Sequence, residues 1–193
     1  MKKQLLLLID IQNDYFTGGK MELFNMEAAS QNAALLISHF RTRNWPLVHV
    51  QHIALKADAS FFVQGSIGAE IHSSVLPLQN EFIVQKNFPN SFRKTNLLEI
   101  MKEQEIDELV ICGAMSHMCI DSTTRAACDL GFTVTLIHDA CATRDITFNN
   151  QVVEAKKVQE AYMGALDGSF AKVVSTSEYL EEKELYRDGA DEA

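Results

Sequence analysis

Basic residues are in deficit: 17 lysines and arginines face 26 aspartates and glutamates, leaving a formal net charge of −9. That balance argues against nucleic acid or an anionic membrane as a partner, because both are bound through positive patches. Part of the acidity comes from the C-terminal stretch Glu178 to Ala193, expected to be a solvated tail or a helix with a frayed end. Proline is scarce, with 3 residues, and glycine numbers only 9, so no Pro/Gly-rich linker divides the chain. Long hydrophobic runs are missing as well. Leu5-Leu6-Leu7-Leu8-Ile9 is far too short to cross a bilayer, carries no signal-peptide cleavage pattern, and reads as a strand. The 4 cysteines (Cys112, Cys119, Cys128, Cys141) form no CxxC pair, so reduced thiols in a cytoplasmic protein are expected. No GxGxxG follows the first strand, and Gly18-Gly19-Lys20 lacks the spacing of a phosphate-cradling loop. Nucleotide binding therefore has little support.

What is present is the material of one globular domain: 193 residues, 47% of them hydrophobic, enough to bury a sizeable core. Short apolar strands alternate with amphipathic helices. After Leu5–Ile9, the residues Ala29, Ala33, Leu36, Ile37 and Phe40 recur at helical spacing and predict a helix over Glu27 to Arg43. Leu47–Val50 is a second strand, Glu81–Val84 a third, and Leu97, Leu98 and Met101 mark a helix before the fourth strand, Leu109–Cys112. Ile120, Thr124, Ala127 and Cys128 then share a helical face, with Gly131 as the stop. Thr133–Ile137 is a fifth strand, Val152, Ala155, Val158 and Tyr162 predict another helix, and Ala171–Val174 a sixth strand. Such alternation predicts an α/β domain over residues 1–180, a six-stranded parallel, doubly wound, Rossmann-like sheet in three layers, followed by an acidic tail over 181–193. Between Ile53 and Gln79 no period is sustained, and a loop of that length inside a compact domain is more often a functional surface than a defect.

In parallel sheets of this kind the active site lies beyond the carboxyl ends of the strands. The polar residues there are Asp10, Lys86, Cys119, and His138 or Asp139. An acid, an amine and a thiol on one rim form a candidate catalytic set. Each also has a plain structural explanation: a strand-end carboxylate accepting backbone N–H bonds, an exposed lysine, a cysteine acting as a small buried hydrophobe. Cys119 lies at the turn into a helix, where the helix dipole and unpaired N–H groups favour thiolate. An aspartate-nucleophile phosphatase of the haloacid dehalogenase type would need a second acid two residues after Asp10, where this chain has Gln12. A metal would have to use His49, His52, His72 or Asp58. His49 and His52 are spaced to point to opposite faces of their strand, so hydrogen-bonded or solvated histidines are expected, with no metal and no other cofactor. A Cys–His dyad through His117 or His138 is a weaker rival.

Three segments, in order, sharpen this reading. They are Asp10-Ile11-Gln12-Asn13-Asp14-Tyr15, then Lys86 with Phe88 and Ser91-Phe92, then Gly113-Ala114-Met115-Ser116-His117-Met118-Cys119-Ile120 with Thr124-Arg125-Ala126-Ala127. Together with Asp139-Ala140-Cys141-Ala142 they resemble the isochorismatase-like cysteine hydrolases over nearly the whole chain to about Leu180. The resemblance implies Cys119 as nucleophile, Lys86 as the ammonium that tunes it, and Asp10 as base and then acid. It implies a cis bond between Ala114 and Met115 and an oxyanion hole built from the N–H groups of Met115 and Cys119, each such donor contributing about 3–4 kcal/mol at the transition state. A substrate pocket lined by Tyr15, Phe16, Phe61, Phe88, Met115 and Met118 would follow, although these groups could equally be core. The family's nicotinamidases bind a metal through an Asp-Trp-His element, where this chain reads His52-Ile53-Ala54, so neither that metal nor nicotinamide is expected. True isochorismatases cleave a vinyl ether without a nucleophilic cysteine, so Cys119 favours C–N hydrolysis. Vinyl ether hydrolysis and a non-catalytic binding role on the same scaffold stay open, as does thiol redox sensing. Relatives are often dimers or larger, so a homo-oligomer acting on a small molecule is the expectation.

Overall fold

The computed structural model describes residues 3–56 and 58–188. Six strands, β1 (Gln4–Ile9), β2 (Leu47–His52), β3 (Phe82–Lys86), β4 (Glu108–Ala114), β5 (Thr133–Ala142) and β8 (Lys172–Val174), form one sheet in the order β3-β2-β1-β4-β5-β8, with every pairing parallel. Between β5 and β8 lies a short antiparallel hairpin, β6 (Ile146–Phe148) with β7 (Gln151–Val153). The helices are α1 (Met26–Thr42), α2 (Leu97–Glu103), α3 (Asp121–Asp129), α4 (Ala155–Leu166) and α5 (Thr176–Asp188).

The apolar run of β1 is explained by its place at the centre of the sheet, where both faces are covered. Leu6 and Leu8 pack with Ala33, Leu36, Phe40 and Tyr179 of α1 and α5. Leu5, Leu7 and Ile9 face the other way, into a cluster with Leu97 and Met101 of α2, Ala127 of α3 and Leu166 of α4. Each of these leucines contributes on the order of 1.5–3 kcal/mol by burial. A Leu7→Ala change, which also leaves a cavity, costs about 2–5 kcal/mol.

From β1 the chain winds outward to β2 and β3, then returns to place β4 on the other side of β1. Strand order therefore reverses between β1 and β4. The crevice at their carboxyl ends is where a doubly wound sheet holds its ligand.

Several sequence expectations need correction. Val152 belongs to β7 rather than a helix, and α4 begins at Ala155; a β-branched pair, Val152-Val153, satisfies a hairpin strand as well as a helical stripe. The fifth strand does not end at His138-Asp139 but continues to Ala142, after its pairing with β4 shifts register between Ile111 and Gly113. Lys86 closes β3 instead of following it. The loop from Ile53 to Gln79 contains two short 3-10 turns, Ile67–Ala69 and Ser73–Val75. Of the two alternatives for the C-terminal stretch, the helix is the one seen: α5 covers Thr176–Asp188, with Tyr179 only 2% exposed. Residues 189–193 of the expected acidic tail lie outside the described residues.

Candidate active site

The site is assembled by the ends of four adjacent strands. At the end of β4, Gly113 takes φ +122°, and a Cβ there would overlap the carbonyl oxygen of Ile9 on β1. Only glycine allows the two strands to approach so closely at that point. The next peptide, Ala114–Met115, is cis. The chain then enters a π-helical turn, Ser116–Ile120, rather than starting an ordinary helix, with Met118 N–H and Ile120 N–H both donating to the Met115 carbonyl at 3.0 and 3.2 Å. Cys119 sits inside this turn and α3 follows it directly.

Asp10 leaves β1 in a left-handed conformation, φ 54°, its N–H donating to Val50 C=O and its own carbonyl accepting from Gln12 N–H, each at 3.0 Å. That turn points a fully buried carboxylate across the strand ends. Lys86 Nζ lies 2.7 Å from Asp10 Oδ2, 3.2 Å from Cys119 Sγ and 2.9 Å from His52 Nδ1. Asp10, Lys86 and Cys119, singled out from sequence, are thus brought into one contact cluster. His52 is the member that sequence reasoning set aside. It stands beside Lys86 in the β2–β3 register, a neighbourhood that depends on strand pairing and is invisible along the chain. Gln12 fixes it: the amide donates to His52 C=O at 3.0 Å and to Ala69 C=O at 2.8 Å, while its oxygen accepts His52 N–H at 2.7 Å.

Charge and burial set the resting protonation. For Asp10, burial alone would raise the carboxyl pKa, but the Lys86 ammonium and His52 outweigh it and leave the group below its usual value. Burial would lower Lys86, yet Asp10 and then Cys119 hold its pKa above the usual amine value. Cys119 is the reverse of the dipole-based expectation. Burial pushes its thiol up, the Asp10 charge adds to that, and Lys86 compensates only in part. Its position inside a wide turn, deep in the fold and beside a carboxylate, overrides the helix terminus. The resting set is a carboxylate, an ammonium and a thiol.

Asp10, His52 and Cys119 offer three ligand atoms within 4.8 Å of one another, a donor set suited to zinc. The Lys86 ammonium, however, lies within 3.2 Å of all three, in the place an ion would take. The cluster does not fit a metal while that lysine is seated. His49 and His72 are engaged elsewhere, His49 with Glu81 at 3.1 Å and His72 with Ser74 at 2.8 Å. Asp58 is exposed.

The expected aromatic wall is divided. Tyr15 is buried beside the cluster, where burial, then Cys119 and Asp10, push its hydroxyl pKa well up. Its ring lies 6.1 Å from Phe61 and 4.6 Å from Phe62. Phe62, missed in the sequence, also sits 5.8 Å from the His52 ring. Its backbone N–H is held at 2.6 Å by the Asp14 carboxylate, which packs so tightly on Gly68 that no Cβ would fit. Met118 is 40% exposed and Met115 7%. Phe16 stacks on His72 at 3.5 Å and Phe88 lies under the Arg93 guanidinium at 3.9 Å.

Known proteins are similar to this chain in sequence and fold. The isochorismatase domain model matches residues 4–178. The isochorismatase family protein YddQ of Bacillus subtilis (strain 168) is 49% identical over 175 residues, 91% of this chain and 97% of that protein. The crystal structure of a protein from Oleispira antarctica, described as an isochorismatase hydrolase, superposes with a TM-score of 0.90 at 46% identity, covering 93% of this chain and 97% of that one. Streptothricin hydrolase of Streptomyces noursei is 32% identical over 143 residues, 74% of this chain and 51% of that protein. With the domain model spanning all six strands of the sheet, this chain belongs to the isochorismatase family of hydrolases.

Proposed function

We propose that the chain is a cysteine hydrolase that cleaves a C–N bond of amide or carbamoyl type in a small molecule, through a thioester on Cys119. The observation that carries this reading is the buried ammonium of Lys86, in contact with both a carboxylate and a thiol. In the first step Cys119 Sγ attacks the carbonyl carbon as its proton passes to Asp10. A resting thiol makes this a coupled transfer, and the Lys86 charge keeps the developing thiolate in place. The backbone N–H groups of Met115 and Cys119 receive the tetrahedral oxyanion. Asp10 then returns the proton to the departing nitrogen, which leaves as ammonia or an amine, and the thioester remains. Water hydrolyses it, giving its proton to Asp10 and restoring the thiol. Tyr15, with Phe61 and Phe62 packed against its ring, gives the cluster an apolar flank suited to a small, largely uncharged acyl group. The relationship to streptothricin hydrolase supports hydrolytic chemistry on this framework without fixing the substrate.

Ammonia release across a panel of small carboxamides and carbamoyl compounds, measured for the native chain and for Cys119→Ala, tests the proposal. Turnover lost by about 10⁴-fold or more, with a thioester adduct on Cys119 seen by mass spectrometry after rapid acid quench, is the expected result. Comparable turnover without the thiol would rule it out.

A further inference from the structure

The π-helical turn that carries Cys119, Ser116–Ile120, has two side chains gripped from outside. Ser116 is fully buried. Its hydroxyl donates to Gln159 Oε1 of α4 at 2.5 Å, with the Ala142 carbonyl of β5 a longer alternative acceptor at 3.2 Å. The other end of the same Gln159 amide donates to the His138 carbonyl, also on β5, at 2.9 Å. One residue on, the His117 ring meets Thr143 Oγ1 at 2.6 Å and lies edge-on to Tyr162 of α4 at 6.0 Å. The turn is therefore clamped between α4 and the end of β5 at the two positions that directly follow Met115.

We infer that Gln159 is a positioning residue for the nucleophile: its amide bridges Ser116 to β5 and so fixes where Cys119 Sγ and the N–H groups of Met115 and Cys119 stand relative to Asp10 and Lys86. This rests on the proposed role of Cys119. A glutamine suits the position because the bridge needs an acceptor at one end and a donor at the other. An ionised glutamate would set a carboxylate oxygen against the His138 carbonyl, whereas a protonated one would restore both bonds. Gln159 also borders a cavity of about 550 Å³ between α1, β5 and α4, so a side chain of similar size can be replaced there without overpacking.

The test compares Gln159→Met and Gln159→Glu with the native chain, on the best substrate from the carboxamide panel. For Gln159→Met, kcat is expected to fall about 10- to 100-fold, the loss associated with misplacement of reacting groups, while KM stays within about twofold. Gln159→Glu should be equally slow at neutral pH and recover relative to the native chain as pH falls and the new carboxyl protonates. Thermal melts of each variant exclude plain unfolding. Iodoacetamide labelling of Cys119 gives a readout independent of substrate, and its rate should change in Gln159→Met. Native kcat in Gln159→Met, or a Gln159→Glu profile that stays parallel to the native one, would overturn the inference. An active Cys119→Ala variant would instead overturn the cysteine mechanism itself, so the two failures are separable.

Discussion

Two ionic clusters occupy opposite ends of the same pair of strands, and they are built on opposite plans. At the amino end of β3, Glu81 is saturated: Arg41 donates to it twice, at 2.7 and 2.8 Å, Leu78 N–H donates at 2.8 Å, and His49 Nε2 lies at 3.1 Å. Burial would raise the Glu81 carboxyl pKa, but those donors bring it down to about 2. At the carboxyl end, Asp10 is fully buried and has Lys86 as an ion-pair partner at 2.7 Å, with His52 Nδ1 farther off at 3.8 Å. An acid held by four contacts holds structure together. In the proposed reaction, one with a single close cationic partner beside a thiol accepts a proton. The contrast separates a multiply held ion pair from the sparsely held one proposed to react.

Breaking the reactive cluster should have the largest effect. Lys86→Met removes the charge that opposes the upward push on Cys119, and turnover is expected to fall by about 10³-fold or more in steady-state assays. It also strands a buried carboxylate, which should cost about 3 kcal/mol in urea unfolding near neutral pH. Glu81→Gln should show the mirror image: a loss of about 2–4 kcal/mol in unfolding free energy, with kcat of the folded protein unchanged. Glu81 has a folded pKa below its ordinary value of 4.5, so its stabilisation is fully present above pH 4.5 and lost as pH falls towards about 2. Acid unfolding followed by circular dichroism should lose that component in Glu81→Gln. A large drop in kcat in the folded Glu81→Gln protein would erase the distinction between the clusters. The smallest effect belongs to the surface pair Lys172–Glu182, with side chains 58% and 39% exposed, where Lys172→Ala should change stability by less than about 1 kcal/mol.

Much of this was legible in the chain because it depends on local pattern. Leu5–Ile9 announces a strand buried on both faces, and polar residues at strand ends put Asp10, Lys86 and Cys119 on a short list with His138 and Asp139. What escaped depends on which strands pair and how the chain departs from regular geometry. His52 joins the site only because β2 and β3 are neighbours in register, and Phe62 reaches Tyr15 from a loop with no periodic signal. The hairpin at Val152 was hidden because β-branched residues serve either period. The turn at Ser116–Ile120 reads as an ordinary helix start, and the inference of a ready thiolate failed with it. Burial and a neighbouring carboxylate are tertiary facts, and here they outweigh a helix terminus.

The most direct measurement is the pH dependence of iodoacetamide alkylation at Cys119, located by peptide mass spectrometry, in the native chain and in Asp10→Asn. Removing the Asp10 charge leaves Lys86 as the dominant neighbour, so the thiol pKa should fall and labelling near neutral pH should speed up, while hydrolase turnover disappears because the proton acceptor is gone. Slower or unchanged labelling in Asp10→Asn, or turnover that survives it, would contradict the assignment of Asp10 as the base acting on a resting thiol.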